Sequence, residues 1–569
     1  IGGHTSGDLY GDIHLRLAEG AIGKSTVFGT VNGGTVHGDI YLEFSSSTGT
    51  YDTSFTNGEA DRTSVAGAYA TAVNGDITMV FNDGVFSHRI FGGLYTRNKT
   101  ISGSTSLYIN GGTFMNEIYA GNKTDGTISQ GTSLTVTGTD AILGKADGDN
   151  WTWTLLCGGN KASGTINGGT AITLKDIAAT TGDGSEHKFD KYAGTIDGKG
   201  GGTVNGEKKL VFDHYTTSFL GTLQNFDKVQ VTGNSDLALD KALGNTVASL
   251  TVDAGSALRF NQDQGATLDI TNNGTIRTSH NLTLKSADTG TGTYWVEGGT
   301  LDLAGQAVSG KISISAGALA NTAGLGAGSV SVSGITGNVN LGGLDGSKLN
   351  SINMGSGTGT ISGLTGHADL SGSDTQLRLS AANMGADGTG IIQFNDAANS
   401  TLTLGNLTLT LTADAVALLA APGDYAFHVT NAALHADTNH ITLSEYNGMA
   451  WDITRTEGGQ VIISFGQLDA MVIDKGASKN VTSASTLGAT PSVTNNGTLN
   501  IDLSAATAPE DKTTTIRYLA GTEAGAVVNT GTDSDVIITL LNETSADPDK
   551  PGNTAYAGSI EGAAQLVKD

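Results

Sequence analysis

In the first third of the chain, apolar and polar residues alternate in short runs that recur. Gly11–Leu17 (GDIHLRL), Gly38–Phe44 (GDIYLEF) and Gly75–Phe81 (GDITMVF) are three copies of one such run. A period of two puts successive side chains on opposite faces of a strand, and no helical period competes with it there. Aligned on their central apolar residue, the runs give Leu15, Leu42, Met79, Leu107, Leu134, Ile172 and Leu210. A second landmark, an apolar residue running into glycine, accompanies each at Gly3, Gly29, Gly67, Gly93, Gly121, Gly159 and Gly194. From glycine to the next strand residue the spacing is 12 to 16; from strand residue to the next glycine it is 14, 25, 14, 14, 25 and 22. The basic period is therefore about 27 residues, and three expansions fall in the same segment of the unit.

A repeat of this length signals a solenoid. Strand periodicity and Gly/Asn/Asp/Thr corners specify an all-β chain, a right-handed parallel β-helix (β-solenoid). In such a fold each coil buries its apolar face against its neighbours. Seven coils at the strand spacing of ~4.8 Å make a section about 30 Å long. Leu107, Ile109, Leu134 and Val136 are expected to point inward in adjacent coils.

Residues 1–212 hold the seven units. From 213 to 412 the strands shorten and crowd, as at Ser249–Val252, Ala257–Phe260, Thr267–Ile270 and Asn281–Leu284. Turn signals such as Asn272-Asn273-Gly274 separate them, which predicts a slimmer continuation of the solenoid. Residues 413–466 break the pattern. A short helix is predicted within Thr412–Ala421, stopped by Pro422-Gly423. The alternating runs Asp424–Val429, Ile441–Leu443, Met449–Ile453 and Gln460–Phe465 follow; they read as hairpins of a small inserted antiparallel β subdomain. Residues 467–569 return to short strands, and Val493–Ile501 echoes Leu268–Ile276.

Composition agrees with an elongated array. Of 569 residues, 84 are glycine and 5 proline, yet apolar residues still make up 37%. That is too apolar for a disordered chain and too long for one compact core. A net charge of −25 argues against nucleic acid or anionic lipid as partner. No apolar run reaches the ~18 residues of a spanning helix. The single cysteine, Cys157, rules out an internal disulfide framework; it occupies the place of Phe91 and Tyr119 in other units and reads as a core thiol. Ile1-Gly2-Gly3 already looks like a repeat corner, so the chain reads as a mature or excised fragment.

Long β-helices include polysaccharide-cleaving enzymes, which need clustered acids. Asp12, Asp39 and Asp76 share one unit position, but Ser104 and Gly131 follow them. They read as a solvated corner, with a cation held between coils as the alternative. His435 and His440 have no accompanying cysteine pair. Glu186-His187 lies in an expansion and Asp213-His214 where the rhythm changes. Asp147-Gly148-Asp149-Asn150 lacks the glutamate a calcium loop needs, having Gly158 at the twelfth position. No catalytic, cofactor or metal set is assigned. The expansions, near 46–57, 144–154 and 180–191, should protrude along one side, and in solenoids such a face often binds. They carry Tyr51, Phe55, Trp151, Trp153, His187 and Phe189, the candidate ligand-binding residues. Indole faces stack on sugar rings or partner side chains. The competing reading is that these rings fold down to hold their own loops.

The last residues, Tyr556–Asp569 (YAGSIEGAAQLVKD), resemble the passenger-associated β-strand repeat of bacterial autotransporters. Tyr556, Gly558, Ile560, Gly562, Leu566 and Lys568 fit that repeat, with Ala564 where glycine is usual. The resemblance covers fourteen residues and implies a secreted or surface-displayed passenger of a Gram-negative-type bacterium. It also implies a C-terminal outer-membrane β-barrel in the full-length protein. The expectation is a non-catalytic adhesin or stalk presenting a recognition face for host glycans or surface proteins. The alternatives are a β-helical polysaccharide-degrading enzyme and a purely structural surface spacer.

Overall fold

The computed structural model describes residues 7–18, 26–31, 34–45, 64–96, 98–147, 150–180, 187–243, 247–384, 390–418, 423–436, 440–444, 451–456, 460–465, 470–482, 492–504, 506, 512–516, 518–540, 556 and 558–568. They are almost all strand and turn, with one α-helix, Ala413–Leu418, among them. The chain divides into two units, Ile1–Ser313 with Gly317–Ser329, and Ile314–Ala316 with Val330–Asp569. Each is a stack of parallel strands: the fold is a parallel β-helix.

In the first unit successive coils contribute strands to shared parallel sheets. The longest, sheet I, has ten parallel strands, from Ile13–Leu17 to Asp269–Asn272. Its central ladder runs Leu15, Leu42, Met79, Leu107, Leu134, Ile172 and Leu210 in unbroken register, as the alternating runs predict. It continues through Val229, Leu250 and Ile270. Leu107, Ile109, Leu134 and Val136 are all fully buried, so the inward face was read correctly. Sheet II has seven strands, from Val27–Thr30 to Thr222–Gln224, and sheet III has six short ones, from Thr35–Val36 to Thr203–Val204. Successive long coils are 27 or 28 residues apart, or 37 or 38 where an expansion intervenes; past Lys208 the step falls to 18–21.

Three kinds of contact recur from coil to coil besides the strands. In the core, Phe44 stacks on Phe81 with centroids 4.9 Å apart, and Phe86 on Phe114 at 5.0 Å. Thr105, Thr132 and Thr170, buried at the starts of successive sheet I strands, donate their hydroxyls to the carbonyls of Ala120, Gly158 and Gly198, which directly follow the sheet II strands of the same coils. At an inner corner the side-chain oxygen of Asn122 accepts the amide of Leu94 at 2.8 Å, and that of Asn160 accepts the amide of Asn122 at 2.7 Å. The threonine bonds tie the two sides of one coil together and the asparagine bonds link a coil to the next, where an orphaned amide would cost about 1–3 kcal/mol.

Two glycine landmarks move. Gly92 and Gly93 together face Gly67 across a bulge. In the sixth coil Ile196 and Asp197 continue the ladder of Leu156 and Cys157, so Gly194 is off the ladder. Gly194 is instead the residue that admits Tyr192: a Cβ there would stand 2.6 Å from the Tyr192 hydroxyl and 2.9 Å from Trp153 Cβ.

The second unit stacks Val330–Ser333, Leu349–Asn353, Thr375–Leu379, Leu407–Leu411 and Ile441–Ser444 in parallel. Gly423–Thr430 pairs antiparallel with Gln460–Phe465, which pairs antiparallel with Trp451–Thr456. These three strands are the inserted antiparallel element. Ile441–Leu443 does not belong to it. Ile441 and Leu443 lie in register with Leu407 and Leu409, because their alternation matches the core ladder. Parallel strands resume at Ala470–Ile473, and Ser559–Glu561 and Gln565–Lys568 pair with Val527–Asn529 and Ile537–Leu540. The echo noted above is structural. Asn272 and Asn495, both fully buried, each donate to the carbonyl that opens the next coil's strand, Thr293 and Val527.

Candidate functional site

Two of the expansions meet. The one in the fifth coil folds as a hairpin, Ile142–Asp147 against Asn150–Trp153, with Gly144 opposite Trp153 and Ala146 opposite Trp151. The one in the sixth coil lies against it: Lys188 bridges Ile142, and the Phe189 amide donates to the Thr139 carbonyl at 3.2 Å. A short 3-10 turn, Phe189–Lys191, follows. The shared segment of the unit thus brings both loops to one side.

On this side the aromatic side chains converge. The His187 imidazole stacks on the Trp151 indole, centroids 3.9 Å apart and 21° from parallel. Trp153 meets Trp151 at 6.0 Å and His187 at 5.9 Å, both edge to face. Beneath them Trp153 packs edge to face on Tyr192 at 5.5 Å, and Tyr192 stacks on Phe189 at 5.2 Å. Tyr192 is the anchor. Its hydroxyl is 2.6 Å from the Thr154 carbonyl and 2.8 Å from that of Thr195, and burial pushes its acidity far below that of a free phenol. Trp151 Nε1 is buried with no acceptor and lies over Gly144, where a Cβ would come within 2.3 Å of it. Gly144 also has φ +149°, which disfavours any other residue.

The candidate residues therefore divide. Trp151, Trp153 and His187 form one cluster, half-buried, with Asn150 and Thr152 exposed beside them. Phe189 is fully buried under Tyr192 and presents no ring face to a ligand; it is a core residue that seats the loop. Tyr51 and Phe55 lie outside the described residues. Tyr192 was missed, although its place beside Gly194 in the sixth unit was a visible signal. In sequence it looks like Tyr119, but Tyr119 belongs to the sheet II ladder and Tyr192 to the loop.

The acidic candidates are engaged otherwise. Asp12 Oδ1 accepts the amide of Asp39, and Asp39 Oδ1 that of Asp76, each at 2.8 Å. Asp76 Oδ1 accepts from the Ser104 amide and hydroxyl at 2.6 and 2.9 Å. The column is a run of coil-to-coil caps. His214 bonds Asp176 of the preceding coil at 2.9 Å through Nδ1, rather than its neighbour Asp213. Among the described residues no three His, Cys, Asp or Glu side chains converge as a metal site would need. Cys157 sits between Tyr119 and Asp197 in the sheet II ladder, fully buried, and burial pushes its thiol well above the ordinary value. Comparison with family models, curated proteins and solved structures finds no match for this chain.

Proposed function

We propose that this chain is a non-catalytic, surface-displayed β-helical passenger that presents a recognition face for glycans or surface proteins. The observation that carries the reading is the hairpin at 142–153. It adds an antiparallel pair to an otherwise parallel coil and holds two half-exposed indoles on one face, braced by His187 and Tyr192. A rigid aromatic ledge loses little freedom on binding, which favours weak attachment at many copies. The resemblance of Tyr556–Lys568 to an autotransporter passenger repeat supports export and an outer-membrane β-barrel in the full-length protein. The Asp12–Asp39–Asp76 column supports the non-catalytic side of the reading, because each carboxylate already caps the next coil.

The test is a glycan and host-protein array probed with the parent chain and with Trp153→Ala. Trp153 is the variant of choice because the Trp151 indole nitrogen is buried over Gly144. The expected result is a set of bound ligands that the variant loses while its melting curve stays close to the parent's. Retained binding by a well-folded variant removes this face from the proposal.

A further inference from the structure

A second site lies elsewhere in the first unit, on the outer face of its slimmer coils. Leu258, Phe260, Ile276, Tyr294 and Val296 are buried, so the alternate residues of the same strands face outward. In register on three successive coils these are Arg259, Arg277 and Trp295. The Arg277 guanidinium lies over the Trp295 ring, 4.9 Å from its centroid. Glu297, two residues beyond Trp295 on the same face, bridges both arginines: Oε2 is 2.9 Å from Arg259 Nη1 and Oε1 is 3.5 Å from Arg277 Nη1. The arginine side chains remain 40% and 36% exposed. Trp295 is half-buried, and Lys311 on the following strand is exposed.

This arrangement runs against the rest of the chain, whose net charge is −25. Two guanidiniums sit one strand spacing apart and share a single carboxylate, so the pair keeps a net positive charge. Each guanidinium carries five N–H donors, and Glu297 engages one terminal nitrogen of each. Arg277 Nε is buried and has no acceptor, so stacking and Glu297 alone fix that side chain. Planar forks of this kind match carboxylates in a two-point contact. Arg277 covers one face of the indole beside them, and it is the other, flat and apolar, that is of the sort on which sugar rings stack. A neutral sugar offers the forks no carboxylate for a two-point contact.

We infer that Arg259, Arg277 and Trp295 form a binding site for a carboxylate-bearing sugar, a uronic-acid-type residue of an acidic polysaccharide. The carboxylate bonds the outer guanidinium edges and the sugar ring lies along Trp295. The site is independent of the hairpin at 142–153, and either can fail without the other.

The experiment is a titration of the full chain with oligogalacturonate, followed by calorimetry and by tryptophan emission. A neutral malto-oligosaccharide and a sulfated oligosaccharide of similar length serve as comparisons. Saturable binding of the uronate that weakens with salt, and little binding of the neutral chain, is expected. Arg277→Gln and Trp295→Ala should each weaken it by about tenfold or more, and Arg277→Lys, which keeps the charge and loses the fork, by a smaller factor. Trp153→Ala should leave it unchanged. No uronate binding at millimolar concentration overturns the inference. So does equal binding of the neutral chain, tighter binding of the sulfated one, or unchanged affinity in a folded Arg277→Gln variant.

Discussion

Leu134 tests the register of the core most sharply. It is fully buried, directly between Leu107 of the coil before and Ile172 of the coil after. Those neighbours are held by the strand ladder and are themselves fully buried, so they cannot move in to fill a void. Leu134→Ala should then fall in the upper part of the usual range, about 3–4 kcal/mol. Leu134→Asp adds an unpaired charge in an apolar ladder and should cost about 5 kcal/mol or more. Thr135, next along the same strand, points out, and Thr135→Asp should stay within about 0.5 kcal/mol. Coils of a solenoid couple mainly to their neighbours, so the loss should be local. Hydrogen exchange should therefore accelerate first in Thr105–Ile109 and Thr170–Ala178, the strands on either side. A circular-dichroism melt gives the overall loss. If Thr135→Asp proved damaging and Leu134→Asp harmless, the strand would be shifted by one residue and the inward face assigned here would be the outer one.

Other outcomes follow from particular contacts. Gly144→Ala should displace the Trp151 indole, shift tryptophan emission to the red and cost about 1–3 kcal/mol; unchanged emission would show that the indole is not seated there. Asn160→Leu leaves the Asn122 amide buried without its acceptor and should cost about 1–3 kcal/mol, read as an earlier urea transition. Lys479 stands in register with Leu499 of the core ladder, and burial pushes its amine down from 10.5 to about 8. The folded state therefore disfavours the charged form. The penalty is full below pH 8 and disappears as the pH rises toward 10.5, so Lys479→Met should gain about 3 kcal/mol at pH 7. Urea midpoints of the two proteins should converge between pH 8 and 10.5; a constant gap would refute this.

The sheet I ladder was legible because one apolar position recurs in an alternating run, three times after Gly-Asp-Ile, and each residue of the ladder has the same job. The slot of Cys157 was legible for the same reason. Glycine was a poorer guide. Gly194 follows an apolar residue and Ala as Gly121 does, but it serves the Tyr192 ring rather than the ladder. Ile441–Leu443 was misplaced because a short alternating run has the same pattern in a hairpin as in a coil, and only its pairing partner distinguishes them. The stacking of His187 on Trp151 joins two expansions from different coils, and no spacing within either announces it. The Arg259–Arg277–Trp295 column was hidden likewise, since outward positions carry no periodic apolar signal.

Recognition without chemistry is tested most directly by one experiment that reads binding and turnover together. The chain is incubated with each glycan it retains on the array, and bound ligand is quantified beside new reducing ends and unsaturated sugar products. The expected result is stoichiometric, recoverable ligand with no product above the level of a protein-free control. Product that accumulates with time and enzyme concentration would contradict the account and make the chain a β-helical polysaccharide-degrading enzyme.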